Sequence, residues 1–481
     1  MGWIVCRQQK GEKMQLNQRT VTAVISAALL SGSAAFGQSG DAILDLLTKK
    51  GVITQREANA AREQLDVQNA QTVEAYNKIK VSSWVNSMQF FGDGRLRYEW
   101  RQATGNAGTT ATTLGFSDNA DLDRFRYRLR FGVKGDFLEN FSYGLRLETA
   151  TKGNSGNVTM GGTGLNGGPF PKSQQNTVGN NVIELGQFYA QYKAADWLTF
   201  VAGKMENPFM TSAMVWDGDL NPEGFVQKVK FSTDPVDLFL TLGEFTYNNT
   251  AAGNNGFRTI AGGNDSWMMG AQVGGKVKIS PELSFTLAPT FYVYVNPNNT
   301  AGIFNPTLTT NSTATGSANI AGIDNLTVFE LPAEFAFQFP GIHQPGKVFG
   351  EFALNTSAAE RAKRTANYKG YGDQNIAYQI GASIGKNKKK SDWLVKAYWQ
   401  HTELFALDPN LVDSDLFDGR LNMQGAVVNG QYLFTDFLSL GLTYANAHTI
   451  NAGIPTLNGA GDMKGNLSNY NLFQADLNWK F

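Results

Sequence analysis

The chain is 481 residues long, with 41 Lys plus Arg against 41 Asp plus Glu, 42% hydrophobic and 12% aromatic residues, and 52 glycines against 14 prolines. A formal net charge of zero without an extended basic block excludes a nucleic-acid binder held by phosphate contacts, and the apolar content excludes a disordered chain. Charged residues make up 17%, below the ~25% of average soluble domains, and with abundant glycine and aromatics this suits many β-strands joined by Gly/Asn-rich loops.

The N-terminus reads as a targeting segment. From Met14, a short basic region ending at Arg19, an apolar run from Val21 to Leu30 and the small-x-small site Ala35-Phe36-Gly37 predict a signal peptide over 1–37 with its true start at Met14. The single cysteine, Cys6, falls in this leader, so the mature chain is read as cysteine-free, as suits an exported protein that needs no disulfide. Beyond it no apolar run approaches the ~20 residues of a membrane-spanning helix. Only a closed barrel otherwise pairs every backbone group in lipid.

Residues 38–80 form a predicted periplasmic helical segment. Ile43, Leu44, Leu46 and Leu47 precede a break at Gly51; Thr54 then stands as N-cap with Glu57 three residues on, followed by Ala58, Ala61 and Leu65. The stretch 41–78 suits a two-helix linker, a peptidoglycan contact or an oligomer-forming coil.

From residue 88 to 481 the pattern switches to period two. Phe125, Tyr127, Leu129, Phe131 and Val133 fall on one face, and Arg124, Arg126, Arg128, Arg130 and Lys134 on the other. Leu96, Tyr98 and Trp100 likewise oppose Arg95, Arg97, Glu99 and Arg101, and Leu145 and Leu147 oppose Arg146 and Glu148. About sixteen such strands follow, with connections alternating long and short. That predicts an all-β transmembrane fold, an antiparallel outer-membrane β-barrel with short periplasmic turns, long external loops and both termini in the periplasm. Trp100, Trp197, Trp393 and Trp479 suit interfacial girdles. The last strand carries Phe473, Ala475, Leu477, Trp479 and Phe481 on one face, and its end, Leu477, Trp479 and Phe481, resembles the signal read by the barrel-assembly machinery.

These features carry a family resemblance. Asp41-Ala42-Ile43-Leu44-Asp45 through Lys50-Gly51-Val52-Ile53-Thr54, Gly92-Asp93-Gly94-Arg95-Leu96-Arg97-Tyr98-Glu99, Gly203-Lys204-Met205-Glu206-Asn207-Pro208-Phe209, Trp216-Asp217-Gly218-Asp219-Leu220-Asn221-Pro222-Glu223-Gly224 and Asp413-Ser414-Asp415-Leu416-Phe417 resemble the bacterial putative porin family, distantly like the phosphate-selective porins. The resemblance implies an outer-membrane channel, of Gram-negative type, for passive diffusion of small hydrophilic solutes and ions. The Asn/Thr/Gly-rich loops lack the extra cationic steps of a phosphate-selective channel.

A barrel of this width leaves an aqueous lumen, and its narrowest point sets selectivity. The third long loop, 204–224, is the expected constriction, through Glu206, Asp217, Asp219 and Glu223. Against it the reading sets a pore-lining ladder of Arg95, Arg97, Arg124, Arg126, Arg128, Arg130 and Arg146, giving a weak anion preference or a solvated face balanced by the acidic loop. Glu148, Glu330, Glu334 and Glu351 also point inward in this reading. Asp413, Asp415 and Asp418 with Gly419 are read as a surface turn, because Phe417 interrupts the oxygen ligands of a calcium loop. Gly161-Gly162-Thr163-Gly164 lacks phosphate-loop context, the lysines of 386–390 are read as a solvated turn, and His343, His401 and His448 lie in or near separate connections. No cofactor, metal or nucleic acid is expected, and no enzyme activity. The expected partners are outer-membrane lipid, the assembly machinery and two further copies in a homotrimer. The competing readings are a barrel-anchored tethering or adhesion protein and an outer-membrane lipase or protease.

Overall fold

The computed structural model describes residues 47–51, 53–54, 57–58, 85–105, 119–138, 140–150, 155–160, 183–248, 266–295, 325–339, 341, 344–363, 370–454, 457–458, 462–463 and 467–481. The signal segment, Cys6, the 161–164 glycine run, His343 and most of 38–80 lie outside these residues. The chain divides into units 1–83 and 84–481. In the first, residues 47–49 and 57–58 are helical. The expected cap is there: Thr54 N donates to Glu57 Oε2 (2.8 Å) and Glu57 N to Thr54 Oγ1 (3.3 Å), a reciprocal box that satisfies two otherwise orphaned donors.

The second unit is a closed barrel of sixteen antiparallel strands among the described residues. They are β1 Val85–Gly105, β2 Asn119–Phe137, β3 Phe141–Thr149, β4 Ile183–Ala195, β5 Leu198–Lys204, β6 Glu223–Thr233, β7 Val236–Asn248, β8 Ser266–Ser280, β9 Leu283–Leu287 continued by Thr290–Val295, β10 Thr327–Gln338, β11 Pro345–Asn355, β12 Ile376–Gly385, β13 Trp393–Thr402, β14 Met423–Leu433, β15 Leu438–Thr449 and β16 Leu467–Lys480. β9 breaks at Ala288 and Pro289, where proline has no N–H to give a ladder. Each strand pairs with its successor, and β16 returns to β1, so no edge is left open. The first strand starts at Val85, three residues ahead of the expected 88.

Period two decides which face meets what. On β2, Phe125 is 60% and Leu129 46% exposed, while Arg126 and Arg128 are buried. That is inside-out for a protein in water and is what lipid outside and polar groups inside demand. No helix among the described residues is long and apolar enough to cross a membrane; the strands span it. At the short-turn end aromatic pairs stack on the outer face, including Phe137 with Tyr143, Phe141 with Tyr192 and Trp197 with Phe231. The C-terminal Phe481 closes the seam by exchanging main-chain hydrogen bonds with Gly92 (3.0 and 3.1 Å). Gly92 and Gly94 leave room for the terminal aromatics: a Cβ on Gly94 would sit 2.2 Å from the Trp479 ring.

The sixteen-strand width does not translate into an open tube. The third loop, 205–222, and the seventh, 403–422, fold inward and build the apolar core against the inner wall. Met205, Phe209, Met214 and Trp216 from the third loop and Leu404, Phe405 and Leu407 from the seventh pack with Phe245, Met268 and Tyr292 of the strands. Phe209 sets its edge to Phe245 (6.1 Å) and Tyr292 (5.5 Å). Burying large apolar side chains out of water is what holds both loops in place.

Candidate functional site

The register of β1 between β2 and β16 builds one cationic wall. Arg95 faces Arg128, Arg97 faces Arg126, Glu99 faces Arg124 and Asp93 faces Arg130 across one ladder; Arg97 faces Asp476 and Glu99 faces Gln474 across the other. Apolar residues at the intervening positions turn outward, so the charges point inward together.

The wall is met by carboxylates rather than by open water. Arg97 binds Asp476 (2.7 Å) and Asp415 (2.5 Å). Arg101, fully buried, reaches Glu99 (3.0 Å), Asp418 (2.9 Å) and Asp415 (3.2 Å). Arg124 takes Glu99 and Asp462, both at 2.5 Å. Arg126 lies 3.5 Å from both Glu99 and Asp415 and donates to the Asn157 carbonyl (3.0 Å). Lower on the wall, Arg128 bridges Asp93 (3.0 Å) and Asp219 (3.1 Å), Arg130 binds Asp93 (2.8 Å), and Arg146 binds Glu148 (2.8 Å). Arg95 differs: its nearest carboxylate, Asp476, is 3.8 Å away, and its Nε donates to Asn478 (3.1 Å).

Asp415 and Asp418 come from the seventh loop, so the surface-turn reading of 413–418 is corrected. The segment turns into the barrel through left-handed residues Phe417 (φ 50°) and Asp418 (φ 58°). Asp413 accepts the amides of Asp415 (2.7 Å) and Leu416 (3.0 Å), and Asp418 accepts those of Asp462 (2.7 Å) and Met463 (3.2 Å). Phe417, which spoils a calcium loop, is instead 1% exposed and packs with Met423, Tyr470 and Leu472. At the loop's other end Tyr247 and Tyr294 both donate to Asp408 Oδ2 (2.7 and 2.9 Å).

The third loop is pinned across the lumen. The Gln272 side chain accepts from Met210 N (2.8 Å) and donates to Met210 O (2.9 Å). Glu351 accepts from Thr211 Oγ1 (3.2 Å), Ser212 N (3.0 Å) and Gln379 Nε2 (3.0 Å). The two inward loops also bind each other: Asp217 N donates to Leu411 O (2.6 Å), Asp413 N to Ala213 O (3.0 Å), and Ser414 N to Asp217 Oδ2 (3.2 Å). Of the acidic residues expected at a constriction, Asp217 and Asp219 enter this junction. Glu206 is exposed, and Glu223 pairs with Lys204 (3.0 Å) away from the arginines.

Burial and the neighbouring Asp413 and Asp219 carboxylates push Asp217 up to about 9. Burial and Asp415 push Asp413 up to about 6. Against burial, Arg97, Arg126 and Arg101 hold Asp415 well below the usual carboxylate range. Desolvation and like charge favour the neutral acid, and facing guanidinium favours the anion, so at neutral pH Asp217 of the third loop holds a proton while Asp415 of the seventh is ionised.

Two cavities remain around the loops. One of about 400 Å³ lies between Arg95, Arg97, Arg128, Asp219 and Asp415 on one side and Lys396 on the other. A larger one, about 880 Å³, opens toward the short-turn end beneath Met210 to Ala213 and is lined by Phe349, Glu351, Leu394 and Lys396. Both include Ala213, Leu394 and Lys396 in their walls and meet there. Lys396 points inward from β13 and rests over the Phe349 and Tyr398 rings, each 4.8 Å away. Among the described residues no carboxylate lies within salt-bridge distance of it. Sequence reasoning passed over Lys396, although Trp393, Val395 and Trp399 flank it at outward-facing spacing.

Of the acidic residues read as inward, Glu330 is fully buried and accepts from Tyr292 (2.8 Å), while Glu334 binds Lys347 (2.9 Å). His401 and His448 stand at strand ends, bridged by Gln424 (2.9 and 3.1 Å). Among the described residues no group of three or more His, Cys, Asp or Glu could hold a metal ion.

The family described as Putative porin matches residues 59–324. No curated protein sequence matches the chain. Similar solved structures include one described as "Asymmetric conductivity of engineered proteins", 12% identical with a TM-score of 0.38, over 82% of this chain and 100% of that one. A double mutant of the Rh. blastica porin is 11% identical with a TM-score of 0.37, and a triple mutant of the Rhodopseudomonas blastica porin 12% identical with a TM-score of 0.37; each covers 82% of this chain and 100% of its own.

Proposed function

The chain belongs to the family described as Putative porin, a channel-forming β-barrel of the outer membrane, and from that premise we propose that it passes small hydrophilic solutes and ions by passive diffusion with a weak preference for anions. The observation that carries the preference is the wall of the 400 Å³ cavity, where Lys396 has no carboxylate partner among the described residues and Arg95 only a distant one. Ions confined beside charges that have no close counter-charge feel them strongly. Asp217, which lines the same passage, is held largely neutral by its raised pKa, which removes one opposing charge at neutral pH. The remaining arginines act mainly as a structural lock, because loop and strand carboxylates already occupy them.

The proposal places the short turns and both termini in the periplasm, the arrangement usual for barrels with alternating short and long connections. Assembly as a homotrimer is proposed by analogy of strand number alone, as are delivery by the barrel-assembly machinery through Leu477, Trp479 and Phe481 and a peptidoglycan contact through 41–78. Purified protein added to a planar bilayer in KCl tests the channel: stepwise conductance supports it, and a folded barrel that never conducts would shift the reading to an envelope anchor.

A further inference from the structure

We propose that the 880 Å³ cavity is a binding site for a small amphipathic organic anion, a monocarboxylate with an apolar body of several carbons. The inference rests on the porin reading for how the ligand arrives, but the site itself is read from its walls. Among the described residues Lys396 is the cation near the inner end of the cavity with no carboxylate in salt-bridge distance, since Lys347 binds Glu334 (2.9 Å). The two acidic residues in the wall are engaged as well: Glu334 by that lysine, and Glu351 by Thr211, Ser212 and Gln379. An entering carboxylate therefore meets an ammonium that no carboxylate pairs among the described residues, while the wall carboxylates already have hydrogen-bond or ion-pair partners.

The lining is mixed, with Thr211, Ser212, Gln379 and Ser383 beside an apolar portion where a hydrocarbon tail would lie. Met210, Pro332, Ala333, Phe349 and Leu394 supply that apolar portion, and Phe349 lies directly under the ammonium. The Lys396 ammonium lies over two aromatic faces, which fix its position without neutralising it. A charge-assisted hydrogen bond at one end and apolar burial along the body select a carboxylate with a tail over a compact, strongly hydrated anion. Inorganic phosphate would gain the charge contact but leave the apolar wall unused. Lys386 and Lys388 line the short-turn end of the same cavity and would steer anions toward it.

The probe is hexanoate, compared with inorganic phosphate, by equilibrium titration of the detergent-folded full chain, with single-channel current recorded in parallel. The expected result is saturable hexanoate binding that is tighter than phosphate, weakened about 10-fold in Lys396→Met and largely restored in Lys396→Arg. Leu394→Asn, which keeps the charge, should weaken hexanoate several-fold and leave phosphate unchanged. Heat-modifiable migration verifies that each variant is folded. Absence of saturable binding, equal binding by wild type and Lys396→Met, or phosphate binding as tight as hexanoate overturns the site. Conductance in KCl without hexanoate binding defeats this proposal and leaves the porin reading standing; Lys396-dependent binding to a barrel that never conducts does the reverse.

Discussion

The inner face of β1 and β2 and the inner face of β11 to β13 follow the same rule of alternation, yet they put their cations to different uses. On the first, Arg97, Arg101, Arg124 and Arg126 are each met by carboxylates, several of them delivered by the seventh and eighth loops. On the second, Lys396 faces the passage between two rings, and the nearby Glu351 is spent on holding the third loop. Alternation decides only that a charge points inward. Whether it locks a loop or meets a solute depends on what the loops bring to it.

The sharpest way to break this comparison is to remove a carboxylate from the lock. Asp418→Ala removes one of the carboxylates that Arg101 shares with Glu99 and Asp415, and the carboxylate that Arg420 binds (3.1 Å), and breaking a buried pair on one side costs about 3–5 kcal/mol. Heat-modifiability should fall to lower temperature, and single-channel conductance should rise as the seventh loop leaves the lumen. Unchanged values on both would mean that the cluster holds nothing.

Lys396→Met addresses the other wall. It should cost little stability, because Lys396 has cation–π contacts rather than a charged partner and its stem remains apolar. The chloride-over-potassium permeability ratio should fall toward unity. A variant that loses folding but not selectivity would reverse the roles assigned to the two walls.

Proton linkage gives a finer test at the junction of the inward loops. Asp217 and Asp413 have raised pKa values, about 9 and about 6, so the docked loops hold protons that the undocked chain releases near pH ~4. Their contribution is complete below that pH and is lost as pH rises through 6 and then 9. Thermal stability should therefore decline across that window, and selectivity should drift toward cations as negative charge appears in the passage. Asp217→Asn should flatten the upper half of the drift and leave the lower half; the same drift in the variant would contradict it. The smallest effect belongs to Arg95→Gln. With Asn478 as its close partner and Asp476 at 3.8 Å, its loss should change stability by about 0.5 kcal/mol or less and shift the reversal potential in the same direction as Lys396→Met but by less.

Much of the barrel was legible because its rule is local. Period two in Leu122 to Lys134, the alternation of long and short connections and the aromatic ending at Phe481 each follow from chain geometry in lipid, and together they specify sixteen strands and their faces. The same rule turned the arginines inward. What the sequence did not disclose was the path of the loops. Asp413 to Asp418 has turn-forming residues and looks like a solvated bend; its place inside depends on Arg97, Arg101 and Arg126, more than 280 residues earlier, and on the apolar packing of Phe417. Glu206 and Glu223 look equivalent to Asp217 and Asp219 in composition, and only the tertiary path separates them. Lys396 was within reach of the pattern, since its strand alternates cleanly, but a single lysine carries no signal until its missing partner can be seen.

The central claim is that the arginine wall is a lock and Lys396 the selective charge. It is tested most directly by the reversal potential under a KCl gradient for wild type, Arg126→Ala and Lys396→Met in the same bilayer. The account predicts an anion-selective potential in wild type, the same sign in Arg126→Ala, and a value near zero in Lys396→Met. Loss of selectivity in Arg126→Ala with full selectivity in Lys396→Met would contradict it.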